Sequence, residues 1–460
     1  MTLDYYLDSL ADKSIAVVGY GVSNAPLCRL LLEHGCDVTI CDKRTEDKFE
    51  DAAALREKGA KLRLGEDYLE GLNEEVIFRT PGLHPFTPQL KSAAERGSTL
   101  TSEMEAFFKV CPCHTIAITG SDGKTTTSTL IAKLLEASGH TVFLGGNIGA
   151  PLLDKVPQMK PEDFAVLELS SFQLHSMSCK PETAVITNIS PNHLDIHPSI
   201  EDYVEAKKSI FLNQDESCTL ILNAEDPHTP AFAAEARAKI RYFSRAHSVV
   251  SGCFCVDELL YSANNYEVRE IMPAAGILIP GLHNVENYMA AYAACSGYIS
   301  DSAFRSVART FPGVPHRIEL IRERNGVKYY NDSIASSPTR TIAGLRCFTK
   351  VKPILIAGGH DKHIPFDALG TEIVERVKAL YLTGETAERI KQAVLDTPGY
   401  NRLTLPIYII DDFKEAVLTA AESAKDGDVV ILSPACSSFD KFKNFVERGN
   451  TFRQIVLEMD

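Results

Sequence analysis

Tryptophan is absent from the 460 residues, so no native indole signal reports on this chain. Long apolar runs are also absent: none approaches the roughly 18 residues a membrane-spanning helix needs. Met1–Leu10 is acidic and lacks a basic stretch leading into an apolar core, so no secretory signal is expected. Cations are in deficit, with 47 Lys and Arg against 61 Asp and Glu, for a net charge of −14. A general nucleic-acid partner is therefore excluded, because such proteins present a basic face. The C-x-x-C spacing of zinc and redox sites is missing too. Cys111/Cys113 and Cys253/Cys255 are C-x-C, and the twelve cysteines are expected to be reduced thiols of a cytoplasmic protein.

What is present is the balance of a soluble globular chain, 45% apolar and 23% charged. At roughly 150 residues per domain the length implies about three domains. Strand-helix alternation appears in three blocks. The first has a strand at Ser14–Gly19, a helix at Ser23–His34 and a strand at Asp37–Cys41, and later the turn Thr80-Pro81-Gly82. The second has a strand at His114–Thr119, a helix at Thr125–Ala137, and strands at Phe164–Leu169, Ala184–Ile189 and Thr219–Asn223. Phe311-Pro312-Gly313-Val314-Pro315 reads as a hinge before the third, whose strands are Pro353–Ala357, Ala379–Thr383, Ile407–Ile410 and Val429–Ser433. This is the pattern of an α/β protein with mainly parallel sheets.

Two glycine turns carry chemistry. Gly19-Tyr20-Gly21-Val22-Ser23-Asn24 approximates a dinucleotide fingerprint, with Asn24 where the third glycine stands and Asp42 at the expected distance. A nucleotide diphosphate at the helix N-terminus, a nicotinamide-dependent oxidoreductase and a plain tight turn all remain open on this motif alone. The second turn, Gly120-Ser121-Asp122-Gly123-Lys124-Thr125-Thr126, follows a strand and opens a helix. Its glycines let N–H groups curl around a polyphosphate, Lys124 neutralises it, and a Thr125 or Thr126 hydroxyl can reach Mg²⁺. Ile118 stands where the standard phosphate loop has its first glycine. Glu168 at a strand end and His193 after the next strand are placed to ligate a cation beside that loop. Asp195 and His197 are read as shaping the His193 loop.

At this point a resemblance becomes specific. The order Gly120–Thr126, Glu168-Leu169-Ser170-Ser171-Phe172-Gln173, His193-Leu194-Asp195 and Ala206-Lys207 resembles the Mur ligases. So do Gly281-Leu282-His283-Asn284…Asn287, His316-Arg317 and Gly358-Gly359-His360-Asp361-Lys362. These ATP-dependent enzymes form the amide bonds of peptidoglycan precursors. The match runs nearly end to end, and Ser433–Gly449 is most similar to the branch that adds D-glutamate to UDP-N-acetylmuramoyl-L-alanine.

The resemblance implies a Rossmann-like domain over 1–103, a central phosphate-loop domain over 104–314 and a Rossmann-like domain over 315–460, acting as a monomer. It implies that Gly19, Gly21, Val22, Ser23, Asn24, Asp42, Lys43, Arg44, Thr80, Pro81, Gly82 and Asn147 bind the UDP-substrate. ATP falls to Gly120–Thr126 with Asn284, Asn287, Arg317 and Asp332. Two Mg²⁺ ions fall to Thr125, Glu168, His193 and Lys207, the last as a carbamate, so that Lys124, Glu168, His193 and Lys207 are the catalytic set. Ser336, Lys362, Ser438 and Phe445 receive the amino acid. One departure stands out: Asn331-Asp332-Ser333-Ile334-Ala335-Ser336 has Ile334 where the family carries a lysine. The L-alanine-adding branch is the rival within the family, and the oxidoreductase the rival outside it.

Overall fold

The computed structural model describes residues 1–191, 197–265 and 267–459. Short Val- and Ile-rich runs become strands buried on both faces, as parallel strands covered by helices must be. Ile15–Val18, Ile116–Thr119 and Ala165–Glu168 are all buried. Among the described residues these strands make three mixed or parallel sheets. The first runs Lys61–Leu64, Asp37–Asp42, Ser14–Val18, Val76–Arg79, Thr99–Thr101, parallel throughout. The second is parallel from Val142–Gly146 through Phe164–Glu168, His114–Thr119, Thr183–Ile186, Thr219–Asn223 and Lys239–Ser244 to Ser251–Val256. It ends in the antiparallel pairs with Leu259–Asn264 and Glu267–Pro273. The third orders Glu319–Arg324, Val327–Asn331, Val429–Leu432, Ile354–Ala357, Ala379–Leu382, Ile407–Ile409, with its first pair antiparallel. The α/β reading with mainly parallel sheets therefore holds.

The expected elements fall within a few residues of the observed ones, with one instructive shortfall. The strand expected over Ala184–Ile189 stops at Ile186, because Thr187 and Asn188 turn their side chains onto the Asp122 carbonyl of the phosphate loop. The helix Ile200–Lys208 gives way to three-residue turns, in which the N–H groups of Ile210 and Phe211 donate to the carbonyls of Lys207 and Lys208.

Two compact units emerge: residues 1–274 with 286–307, and residues 275–285 with 308–460. The first two sheets share unit one, and one apolar cluster runs from Leu7, Ile15 and Leu31 to Ala117, Leu167 and Ile186. In unit two, Leu355, Leu380 and Ile431 on one face of the third sheet and Ile356, Tyr381 and Val430 on the other are buried under helices. Among the described residues no helix is long and apolar enough to cross a membrane.

Candidate active site

Sheet order decides where side chains converge. His114–Thr119 lies between Phe164–Glu168 and Thr183–Ile186, so the loops after these three strands emerge side by side. Gly120 and Gly123 take left-handed backbone, at φ 144° and 79°, which glycine adopts without a Cβ penalty. A Cβ on Gly120 would collide with Thr187 Oγ1, and one on Gly123 with Asn287 Oδ1. Gly123 caps Lys124–Ala137 with no side-chain hydrogen bond, leaving the first N–H groups of that helix for an anion. Lys124 Nζ donates to the carbonyls of Gly120 (2.9 Å) and Ser121 (2.8 Å). Ser121 Oγ is tied to the Ser190 carbonyl and the Tyr203 hydroxyl, both at 2.9 Å. The exposed Asp122 donates its N–H to Asn188 Oδ1. Thr126 is buried and Thr125 only partly covered, so Thr125 is the better-placed hydroxyl for a ligand.

Glu168 is 1% exposed at the end of its strand. Its Oε1 accepts from Asn147 Nδ2 at 2.8 Å, while Oε2 is buried with no partner among the described residues. An orphaned carboxylate oxygen beside a phosphate loop suits a cation, because leaving it bare is costly. Lys207 is also 1% exposed, so it is no solvated surface lysine. Its Nζ donates to the Gly120 carbonyl (2.8 Å) and Thr119 Oγ1 (3.3 Å) and lies 4.6 Å from the Tyr203 ring centroid. Burial, and then the charge of Lys124, hold its pKa well below the ordinary lysine value. Lys208 is not a free surface group either; it pairs with Glu205 (2.9 Å) and Glu235 (2.5 Å). His193 and Asp195 lie outside the described residues.

The first sheet builds a second site at its topological switch point, where Ser14–Val18 meets Val76–Arg79. A Cβ on Gly19 (φ 84°) would come within 2.7 Å of Thr80 Cγ2, so the two strand-end loops touch. Asn24, in the third-glycine position, is buried and donates from Nδ2 to the carbonyls of Val18 and Gly19. Asp42 accepts from Tyr20 N–H (2.8 Å) and from Arg44 Nε (2.8 Å). Burial raises its pKa, but these hydrogen bonds outweigh burial and hold it below the usual value. Lys43 is exposed and near Glu66. A cavity of about 160 Å³ opens here, lined by Val22, Ser23, Asn24, Pro81 and Asn147 among others. Gly21 and Gly82 flank open space, since a Cβ on either would meet nothing within 4 Å.

The same cavity is lined by Gln173, from the motif that begins at Glu168, and by Arg79 and Glu103, which the sequence did not single out. Arg79 is buried and donates to the Leu83 carbonyl, the Phe172 carbonyl (3.1 Å) and Ser176 Oγ (2.8 Å), pinning the Thr80–Leu83 turn to the segment after Glu168. Its one signal was its place: an arginine ending the apolar strand Val76–Arg79. Glu103 is pushed up to about 7 by burial, although Leu153 N–H donates to it.

Unit two holds the remaining expected residues. Asp332 is buried, accepts from Ser433 Oγ (2.7 Å) and is raised to about 7 by burial, with Arg317 and Arg340 opposing. Arg317 is exposed between His316 (φ 63°) and Ile318 (φ 43°), a strained turn held by His316 N–H on Glu319 and Ile318 N–H on Asp332. Lys362 Nζ reaches the Ser336 carbonyl at 3.5 Å. Arg448, part of the Ser433–Gly449 motif but assigned no role from it, is buried and donates to the carbonyls of Ser333, Cys436 and Ser437, joining the Ser336 segment to the Ser438 loop. The Phe445 carbonyl accepts from Ser333 Oγ. Asn284 and Asn287 share the helix Leu282–Cys295, Asn284 falling in unit two and Asn287 in unit one. Asn287 Oδ1 accepts from Thr127 Oγ1 at 3.2 Å, and Asn284 Nδ2 donates to the Pro280 carbonyl.

Comparison with known proteins gives a consistent result. Residues 118–295 match the Mur ligase middle domain, and residues 316–436 match the Mur ligase glutamate ligase domain. The chain is 49% identical to the UDP-N-acetylmuramoylalanine–D-glutamate ligase of Acetivibrio thermocellus, across 99% of this chain and 98% of the relative. It is 46% identical to that of Clostridium novyi, across 99% of each. A solved UDP-N-acetylmuramoyl-L-alanyl-D-glutamate–2,6-diaminopimelate ligase superposes with a TM-score of 0.59 at 18% identity, covering 92% of this chain and 93% of that one. The MurF ligase of Thermotoga maritima in complex with ADP gives 0.53 at 17%, covering 98% and 95%. At such identities the structural likeness speaks for the fold alone.

Proposed function

The chain belongs to the Mur ligase family, and from that premise we propose that it joins D-glutamate to UDP-N-acetylmuramoyl-L-alanine using ATP. Its product is then a cytoplasmic peptidoglycan precursor. The observation that carries the reading is the near-full-length identity to ligases of that name, together with a phosphate loop flanked by two buried groups, Glu168 with a bare carboxylate oxygen and Lys207 with its basicity lowered. A nicotinamide oxidoreductase would leave those groups without a task.

A carboxylate and an amine do not condense at neutral pH, because hydroxide is a poor leaving group. Transfer of the γ-phosphoryl of ATP to the substrate carboxylate gives an acyl phosphate and ADP. Attack by the amine of D-glutamate then forms the C–N bond and expels phosphate, with the amine proton passing to solvent or a base. Lys124 and the helix N-terminus that follows Gly123 would hold the triphosphate as two anions approach. Asn147, bonded to Glu168, would place the carboxylate of a substrate lying in the cavity between Val22 and Asn147. Residues fit for magnesium are Glu168 through Oε2, Thr125, a Lys207 carbamate and, from the sequence alone, His193. Two bound Mg²⁺ ions would screen the converging anions and stabilise the oxyanion. Low basicity keeps a larger share of Lys207 as the neutral amine that adds CO₂. We assign Ser336, Lys362, Ser438 and Phe445 to D-glutamate, and Asn284, Asn287, Arg317 and Asp332 to ATP. Ile334 brings no charge to this segment; Arg317 and Arg340 are the cations whose field acts on Asp332. We also propose the domain limits 1–103, 104–314 and 315–460 and a monomeric enzyme.

The test is phosphate release with UDP-N-acetylmuramoyl-L-alanine, ATP and Mg²⁺ against a panel of amino acids. D-glutamate is expected to support turnover far above L-glutamate, L-alanine or meso-diaminopimelate. Equal or better turnover with L-alanine would overturn the subtype.

A further inference from the structure

Two buried side chains outside the assigned site, Ser171 and His197, form a chain of hydrogen bonds with the half-buried Asp202. Asp202 Oδ2 lies 2.7 Å from His197 Nδ1, and His197 Nε2 lies 3.0 Å from Ser171 Oγ. Asp202 also meets His175 Nε2 at 3.0 Å. The order carboxylate, imidazole, hydroxyl is that of a nucleophile relay, but His197 is 1% and Ser171 3% exposed, so no substrate reaches the hydroxyl. The imidazole nitrogens facing Asp202 are accounted for by its carboxylate. What distinguishes the chain is where its members attach. Ser171 lies three residues past Glu168, His197 four past His193, and Asp202 five before Lys207. The His197 ring also packs between Phe172 (5.6 Å) and Tyr203 (5.2 Å). Tyr203 is the residue whose ring lies beneath Lys207 and whose hydroxyl reaches Ser121 of the phosphate loop.

We propose that His197 is a positioning residue: through Ser171 and Asp202 it fixes the spacing of the segments that carry Glu168 and Lys207, and so tunes magnesium–nucleotide binding. The imidazole is suited to this because its two nitrogens point oppositely and bond two different segments in one rigid plane. The inference rests on the ligase reading. The wild-type chain is the control that separates the two, since its failure to release phosphate with D-glutamate would count against the reading itself.

The experiment uses the full chain as wild type, His197→Phe, Ser171→Ala and the double variant. Phenylalanine keeps the stacked ring and removes both bonds; alanine removes only the hydroxyl. ATP binding is followed by calorimetry across a magnesium titration, alongside steady-state phosphate release. Loss of a residue that orients metal ligands typically weakens metal affinity about 10- to 100-fold. His197→Phe should therefore raise the magnesium concentration for half-saturation by about 10-fold or more, leaving the KM for D-glutamate unchanged. Ser171→Ala should shift it the same way by less, and the double variant should be no worse than His197→Phe alone. An unchanged magnesium dependence in both variants, with only a lowered melting temperature, would overturn the proposal. Should His197→Phe fail to fold, Ser171→Ala decides by the same shift.

Discussion

Replacing Lys207 with alanine probes the least ordinary part of the site. Lys207 Nζ and Lys124 Nζ bond one oxygen, the Gly120 carbonyl, at 2.8 and 2.9 Å, so the two nitrogens lie within about 6 Å of each other. Two ammonium groups at that range repel by about 3 kcal/mol at an effective dielectric of about 20. Burial acts in the same direction on a side chain that is 1% exposed. A neutral amine relieves the repulsion, and a carbamate turns it into an attraction of about the same size while offering hard oxygen donors. If the carbamate supplies about 3 kcal/mol to the loaded site, Lys207→Ala should lower turnover by somewhat more than 100-fold. The assay is phosphate release across a magnesium titration. Formate or acetate, filling the vacated space, should restore a measurable part, and chloride at equal ionic strength should not. Lys208→Ala is the control: breaking its pairs with Glu205 and Glu235 should lower the melting temperature and leave magnesium dependence alone. Wild-type turnover in Lys207→Ala, or rescue by chloride as good as by formate, would refute the carbamate.

Lys124→Ala should abolish turnover yet keep calorimetric binding of the UDP-substrate, because the first-sheet cavity does not include Lys124; parallel loss of both would count against the assignment. Asp332 is raised from 3.8 to about 7, so its contribution to stability is present at low pH and lost as pH rises through about 7. Asp332→Asn should flatten the fall in melting temperature between about pH 5 and 8; Glu103 titrates in the same direction, so the difference between the two proteins is what is read. Gly19→Ala should destabilise by at least about 1–2 kcal/mol, since its left-handed backbone and Thr80 both resist a Cβ. Gly21→Ala meets nothing within 4 Å and should melt like wild type while weakening UDP-substrate binding.

The sequence made legible what is local. Glycines before Lys124, an apolar strand ending at Glu168 and the turn at Gly19 each declare a strand-end loop, because such loops depend on φ and short-range spacing. Fold class followed from the alternation of those strands with helices. Contacts between distant segments were not legible. Nothing near Arg79 announces that Phe172 and Ser176 will satisfy its guanidinium, and nothing near His197 announces Ser171. Lys207 and Lys208 look alike as neighbours in sequence. Only packing separates them, setting Lys207 against the Gly120 carbonyl and Lys208 against Glu205 and Glu235. The antiparallel pairs at 251–273 also escaped, since their alternation is weak beside the parallel strands that precede them.

The acyl phosphate is the centre of the account, and an oxygen label tests it most directly. UDP-N-acetylmuramoyl-L-alanine carrying ¹⁸O at both oxygens of its alanyl carboxylate is turned over with ATP, Mg²⁺ and D-glutamate, and the released phosphate is analysed by mass spectrometry. Because a carboxylate oxygen becomes the bridge to phosphorus and leaves with it, one ¹⁸O should appear in each phosphate formed. Unlabelled phosphate, released at the same rate as the amide product, would contradict carboxylate activation by phosphoryl transfer.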